Sequence, residues 1–139
     1  MPSGVKIRFI GHSCFVYEVG GCRILCDPWL SGRVFHNGWD LYSPISTTMS
    51  DLDGIEYLWI SHEHPDHFHV PTLQSIPESR RTGITVLFQA TIDRRVAEFC
   101  CELGFREVRE LPPEWVCLSP DTVPGLEVLC VPATEGNSW

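Results

Sequence analysis

Basic residues are scarce in this chain. Ten Lys and Arg stand against 18 Asp and Glu, a formal net charge of −8 over 139 residues. A surface of that sign repels phosphate backbones and anionic headgroups, which argues against a nucleic-acid or membrane-surface role. Long apolar runs are missing as well. No stretch reaches the roughly 20 residues needed to cross a bilayer, and the opening MPSGVKIRFIGHSCF has no apolar core of the signal-peptide kind. There is no CxxC pair. The seven cysteines, at 14, 22, 26, 100, 101, 117 and 130, are odd in number, and several lie inside apolar runs such as RILCD and EVLCV. That pattern argues against a disulfide framework and for reduced core thiols in a cytoplasmic setting. Repeats and low-complexity linkers are lacking too. With 43% hydrophobic and 20% charged residues, the expectation is one folded domain over residues 1–139 rather than a disordered chain.

What is present begins with short alternating apolar segments. VKIRFI (5–10), CFVYEV (14–19) and CRILCD (22–27) read as three strands, the last two joined by Gly20-Gly21, a hairpin signal. Residues 28–54 are an irregular stretch rich in Pro, Gly, Ser, Thr and aromatics, and loops of that length are often functional. IEYLWI (55–60) and ITVLF (84–88) read as buried strands. Pro71 opens a short helix, and TIDRRVAEFCCELG (91–104) predicts a longer one, with Thr91 as N-cap and Gly104 as the stop. Its apolar stripe is Ile92, Val96, Phe99, Cys100 and Leu103. REVREL, EWVCL and LEVLCV are three further strands, so the fold class is α+β, with helices on a sheet face.

The densest chemistry lies in SHEHPDHFH (61–69), which holds four of the six histidines. Behind a strand ending near Ile60, a chain that stays extended turns His62 and His64 the same way, because side chains alternate with period two. Pro65 restricts the continuation, and Asp66 and His67 follow at once. Neutral imidazole and carboxylate suit zinc, manganese or iron. A single histidine is more commonly a surface or satisfied core residue, and His69 is read so. Glu63, alternating between two ligands, points away and is structural. The pairs Arg80-Arg81 and Arg94-Arg95 read as solvated faces.

SHEHPDH matches the HxHxDH signature of the metallo-β-lactamase superfamily, and IRFIGHSCFVYEVGGCRILCDPWLSG resembles its N-terminal strands. The fuller pattern DPWLSG…GWDL…ISHEHPDHFHVPTL resembles the branch of the CMP-N-acetylneuraminate hydroxylases and the ascorbate-lactonase-like hydrolases. The resemblance implies an αββα sandwich, of which this chain supplies the N-terminal sheet-plus-helices half. It implies that His62 and His64 hold one metal and Asp66 and His67 a second, two divalent ions in all, with zinc first and manganese or iron as alternatives. Asp27 becomes a partner that hydrogen-bonds the ligand loop, and His12 lies near the site mouth, against a plain reading as a turn residue. Glu135 stands about where a third ligand of the first metal belongs. The family's later bridging aspartate and last histidine have no counterpart, and no histidine follows His69. The Rieske-type cysteine–histidine pattern of the hydroxylases is absent, which leaves an oxygenase reading unsupported.

The function so implied is metal-dependent hydrolysis of an ester, lactone or phosphodiester by a metal-bound hydroxide, with Asp66 as ligand or general base. In the loop WLSGRVFHNGWDLYSP, Arg33, His36 and Trp39 are candidates to line a small-molecule substrate, against ordinary loop packing. Two alternatives stand beside it. One is a catalytically weak or inactive half-domain, truncated at its C-terminus, that binds metal or pairs with another chain, a second copy or the missing half. The other is a nuclease of the same fold, which the charge disfavours.

Overall fold

The computed structural model describes residues 4–118 and 125–131. Gly20 and Gly21 both adopt positive φ, 58° and 90°, as a two-residue hairpin turn demands. They close an antiparallel pair, β2 (Cys14–Val19) on β3 (Cys22–Cys26), and β1 (Lys6–Gly11) lies antiparallel on the other side of β2. The next three strands, β4 (Tyr57–Trp59), β5 (Thr85–Gln89) and β6 (Glu107–Leu111), add in parallel, giving one six-stranded sheet in sequential order. A separate antiparallel pair joins β7 (Trp115–Cys117) to β8 (Glu127–Leu129).

The crossovers carry α1 (Val70–Ser75), α2 (Glu78–Arg81) and α3 (Arg95–Glu102). One sheet face sends Val16, Leu25, Leu58 and Val86 into a core closed by Leu73, Val96 and Cys100. Each such fully buried aliphatic contributes about 1.5–3 kcal/mol. The opposite face places Tyr57, Leu87 and Leu111 under Leu118 and Val116, beside the β7–β8 pair. Tyr57 Oη donates to the Leu118 carbonyl at 3.0 Å. Among the described residues that cover stops short of β1 and β2, where Ile7 is 61% and Phe9 67% exposed.

The expected elements exist with two corrections. The long helix starts at Arg95 rather than near Thr91, with Arg94 as N-cap in the left-handed region at φ 52°. Ile92 is fully exposed and is not part of the buried stripe. The cause is local: the Asp93 carboxylate takes the Arg95 backbone N–H at 3.4 Å and its Nε at 2.6 Å, so Asp93 holds the start of the helix that Thr91 was expected to cap. The irregular stretch 28–54 also contains a 3-10 turn, Met49–Leu52, closed by a reciprocal Thr48–Asp51 capping box. All seven cysteines are free. Burial pushes the thiols of Cys14, Cys26 and Cys100 up to about 12, which makes them apolar filling rather than nucleophiles.

Candidate metal centre

In this sheet β1, β3, β4, β5 and β6 run the same way, so their C-terminal ends share one edge. Three chain segments leave that edge together: the β1–β2 turn with His12, the end of β3 with Asp27, and the segment after β4 with residues 61–69. Sites in sheets of this kind collect at such strand ends.

After β4 the chain does not stay extended. The His64 carbonyl accepts the His67 N–H at 2.9 Å and the Phe68 N–H at 2.7 Å. Pro65 suits the first corner of this tight turn, which brings His67 back onto His62. The His62 ring centroid lies 4.6 Å from that of His64 and 4.1 Å from that of His67. Burial first, then the neighbouring imidazoles His67 and His64, holds His62 below the usual imidazole range, which favours the neutral, ligating form.

Asp27 sits at φ 40°, an uncommon setting for a residue with a side chain, and its N–H is anchored to the Trp59 carbonyl at 3.0 Å. From there its carboxylate reaches across to the ligand loop. Oδ1 accepts the Ser61 N–H at 2.8 Å, and Oδ2 accepts from His67 Nδ1 at 2.8 Å. With its Nδ1 proton engaged, His67 presents a lone pair on Nε2, 3.3 Å from Asp66 Oδ2.

Asp66 carries the test of whether a cation fits. It is only 4% exposed, and its Oδ1 is buried with no hydrogen-bond partner among the described residues. An orphaned carboxylate oxygen of this kind is costly unless a positive group satisfies it. Its other oxygen lies 2.9 Å from His12 Nε2. One donor atom each from His12, Asp66 and His67 lie within 4.8 Å of one another, and the 3.3 Å between Asp66 Oδ2 and His67 Nε2 is a spacing that two ligands at about 2.0–2.2 Å from one ion can adopt. The donor set, imidazole with carboxylate, suits zinc, manganese or iron.

The other sequence candidates fall in different places. Phe35, His36 and Asn37 form a run of three left-handed residues, φ 51°, 54° and 66°, clipped by an isolated bridge between Val34 and Trp39. This turn sets the Phe35 ring 6.2 Å from His64 and the Trp39 ring 6.3 Å from His12. Arg33 lies outside that aromatic wall and spends its Nε on Asp40 at 2.9 Å; His36 is exposed to solvent. Glu63 points away to pair with Arg95 at 3.0 Å. His69, 3% exposed, is the N-cap of α1: its Nδ1 accepts the Thr72 N–H and meets the Thr72 hydroxyl at 2.7 Å. Glu135 lies outside the described residues. Sequence reasoning passed over Ser61, whose hydroxyl lies 2.6 Å from Asp27 Oδ2 and 2.9 Å from His62 Nδ1. Its only signal was a small hydroxyl residue wedged between strand and motif.

The family model of the beta-lactamase superfamily domain matches residues 6–113. The cytidine monophosphate-N-acetylneuraminic acid hydroxylase of Danio rerio is 36% identical over 77 residues, 55% of this chain and 13% of that protein. A metallo hydrolase from Ignicoccus hospitalis superposes with a TM-score of 0.63 at 26% identity, over 94% of this chain and 49% of the other. A diiron β-hydroxylase from Streptomyces venezuelae gives a TM-score of 0.59 at 25% identity, over 84% of this chain and 22% of the other. The chain therefore spans under half of each of these relatives.

Proposed function

The chain belongs to the beta-lactamase superfamily, and from that membership we propose that residues 1–139 form a single metallo-β-lactamase-like domain serving metal-dependent hydrolysis of an ester, lactone or phosphodiester. The observation that carries the reading is the Asp66 carboxylate, buried with Oδ1 unpartnered among the described residues and with Oδ2 3.3 Å from Nε2 of His67, whose ring converges with those of His62 and His64. His62 and His64 would hold one divalent ion, and Asp66 and His67 a second. Zinc is favoured by the donor set, and iron stays in view through the diiron relative. Bound there, such ions supply Lewis-acid polarisation and lower the pKa of a coordinated water.

The chain's own residues do the rest. Asp27 holds the His67 proton on Nδ1 and so aims Nε2 inward. His12 engages Asp66 Oδ2 and fixes the carboxylate's rotation. Phe35 and Trp39 lie beside His64 and His12 and present ring faces and edges, the chemistry of a small organic substrate rather than of a polyanion. Arg33, already paired with Asp40, is a weaker anchor for an anionic group than its sequence position implied.

The second reading, a half-domain that binds metal without turning over substrate alone, draws support from the apolar side of β1, where Ile7 and Phe9 are exposed among the described residues. Metal analysis of purified protein combined with turnover of a generic phosphodiester and a lactone separates the two. Near-stoichiometric metal with turnover abolished by His64→Ala supports the hydrolase. Metal without turnover supports the half-domain, and no metal at all defeats both.

A further inference from the structure

We propose that Ser61 is a positioning residue that fixes the ring tautomer of His62, so that the single carboxylate of Asp27 orients two imidazoles of the cluster at once. An ionised carboxylate can only accept hydrogen bonds. Asp27 Oδ2 lies 2.6 Å from Ser61 Oγ and 2.8 Å from His67 Nδ1, so both neighbours donate to it. Ser61 Oγ is also 3.4 Å from His67 Nδ1, but that contact is the longer one, and the His67 proton belongs to Asp27.

A hydroxyl has one proton to give. Once Ser61 has given it to Asp27, its oxygen can only accept from the ring nitrogen on its other side, His62 Nδ1, 2.9 Å away. His62 therefore carries its proton on Nδ1, and a neutral imidazole has only one. The lone pair is left on Nε2, as it is in His67. A single chain of donors, from His62 through Ser61 to Asp27 and back from His67, thus presents two Nε2 atoms as ligands. Ser61 is the chain neighbour of His62, whereas Asp27 is 40 positions from His67, and together the two set both rings. The consequence for metal affinity rests on the proposed function; the tautomer itself does not.

The test uses the full chain, stripped of metal and labelled with nitrogen-15 at histidine, in two-bond nitrogen–proton correlation spectra at pH 8. His62 and His67 are expected in the Nδ1–H form in the wild type. In Ser61→Ala, His62 shifts to a mixture or to the Nε2–H form while His67 stays unchanged, and Ser61→Thr restores the wild-type pattern. Zinc affinity, read by competition with a chromophoric chelator, falls about 10- to 100-fold in Ser61→Ala and recovers in Ser61→Thr. A wild-type His62 protonated on Nε2 overturns the inference, and the wild-type spectrum decides this even if the alanine variant fails to fold. A His62 tautomer indifferent to Ser61→Ala overturns it equally. A chain with the stated tautomers that binds no zinc leaves this inference standing and defeats the proposed function instead.

Discussion

Two histidines seven residues apart, His62 and His69, show how little the residue type says about its work. His62 shares space with two other imidazoles, and His69 is buried beneath Trp29, with Nδ1 turned to Thr72 rather than to the cluster. His62→Ala should therefore lower the metal content of purified protein sharply, and His69→Ala should leave it nearly unchanged; equal losses by elemental analysis would show the ligands to be misassigned. His69→Ala should instead cost about 0.5–2 kcal/mol as a lost cap. A pH dependence follows from the same burial. Burial holds His69 below the ordinary imidazole value. The unfolded chain takes up a proton near pH 6.5 that the folded chain refuses until lower pH. This part of the stability is whole above that value and drains away as the solution is acidified. Asparagine at 69 keeps a capping acceptor but cannot titrate. Metal-free His69→Asn should lose less melting temperature between pH 7.5 and 5.5 than the wild type, and an equal loss would count against burial of His69 as the cause.

Elements were legible wherever a local rule governs them. The glycine pair dictated the β2–β3 hairpin, and Gly104, at φ +82° just past α3, ends that helix as its position implied. An added methyl there would meet nothing within 4 Å, so Gly104→Ala isolates backbone cost; thermal or denaturant unfolding should show a loss of about 1–2 kcal/mol. The start of α3 was misread because two local signals compete within four residues, and Asp93 prevails over Thr91. The histidine cluster was legible because its members lie within six residues and a tight turn gathers them. Its supports were only half legible. His12 and Asp66 are 54 positions apart and Asp27 and Ser61 are 34 apart; only the parallel addition of β4 to β3 brings Asp27 and Ser61 together, and no spacing in the chain encodes that contact. The strained Phe35–Asn37 turn is a further case. Asn and His tolerate left-handed backbone, and Trp39 was a candidate to line a substrate, but no spacing in the sequence set which ring would lie by His64 and which by His12.

At the scale of the molecule the two sheet faces are unequally served. Helices close one face, whereas on the other, among the described residues, the β7–β8 pair lies over the far strands and leaves β1 and β2 open. Ile7, Phe9, Phe15 and Tyr17 form a cross-strand cluster there, with Phe9 and Phe15 edge to face at 5.4 Å. β1 is also an edge strand of the six-stranded sheet. Its backbone, unpaired on that edge among the described residues, lies beside exposed aromatics and is a template for association. The opposite side of β1 carries Lys6 and Arg8, which keep the edge hydrated but leave the apolar side unguarded. The 139-residue chain should therefore associate in a concentration-dependent way, visible by sedimentation velocity. Phe9→Lys should raise the monomer fraction. Because Phe9 is already 67% exposed, the same change should move folding stability by no more than about 0.5 kcal/mol. Association that persists in Phe9→Lys would place the contact elsewhere than on the β1–β2 face. A large loss of stability would mean instead that this face is covered within the chain itself, and the account of an unequally served sheet would fall with it.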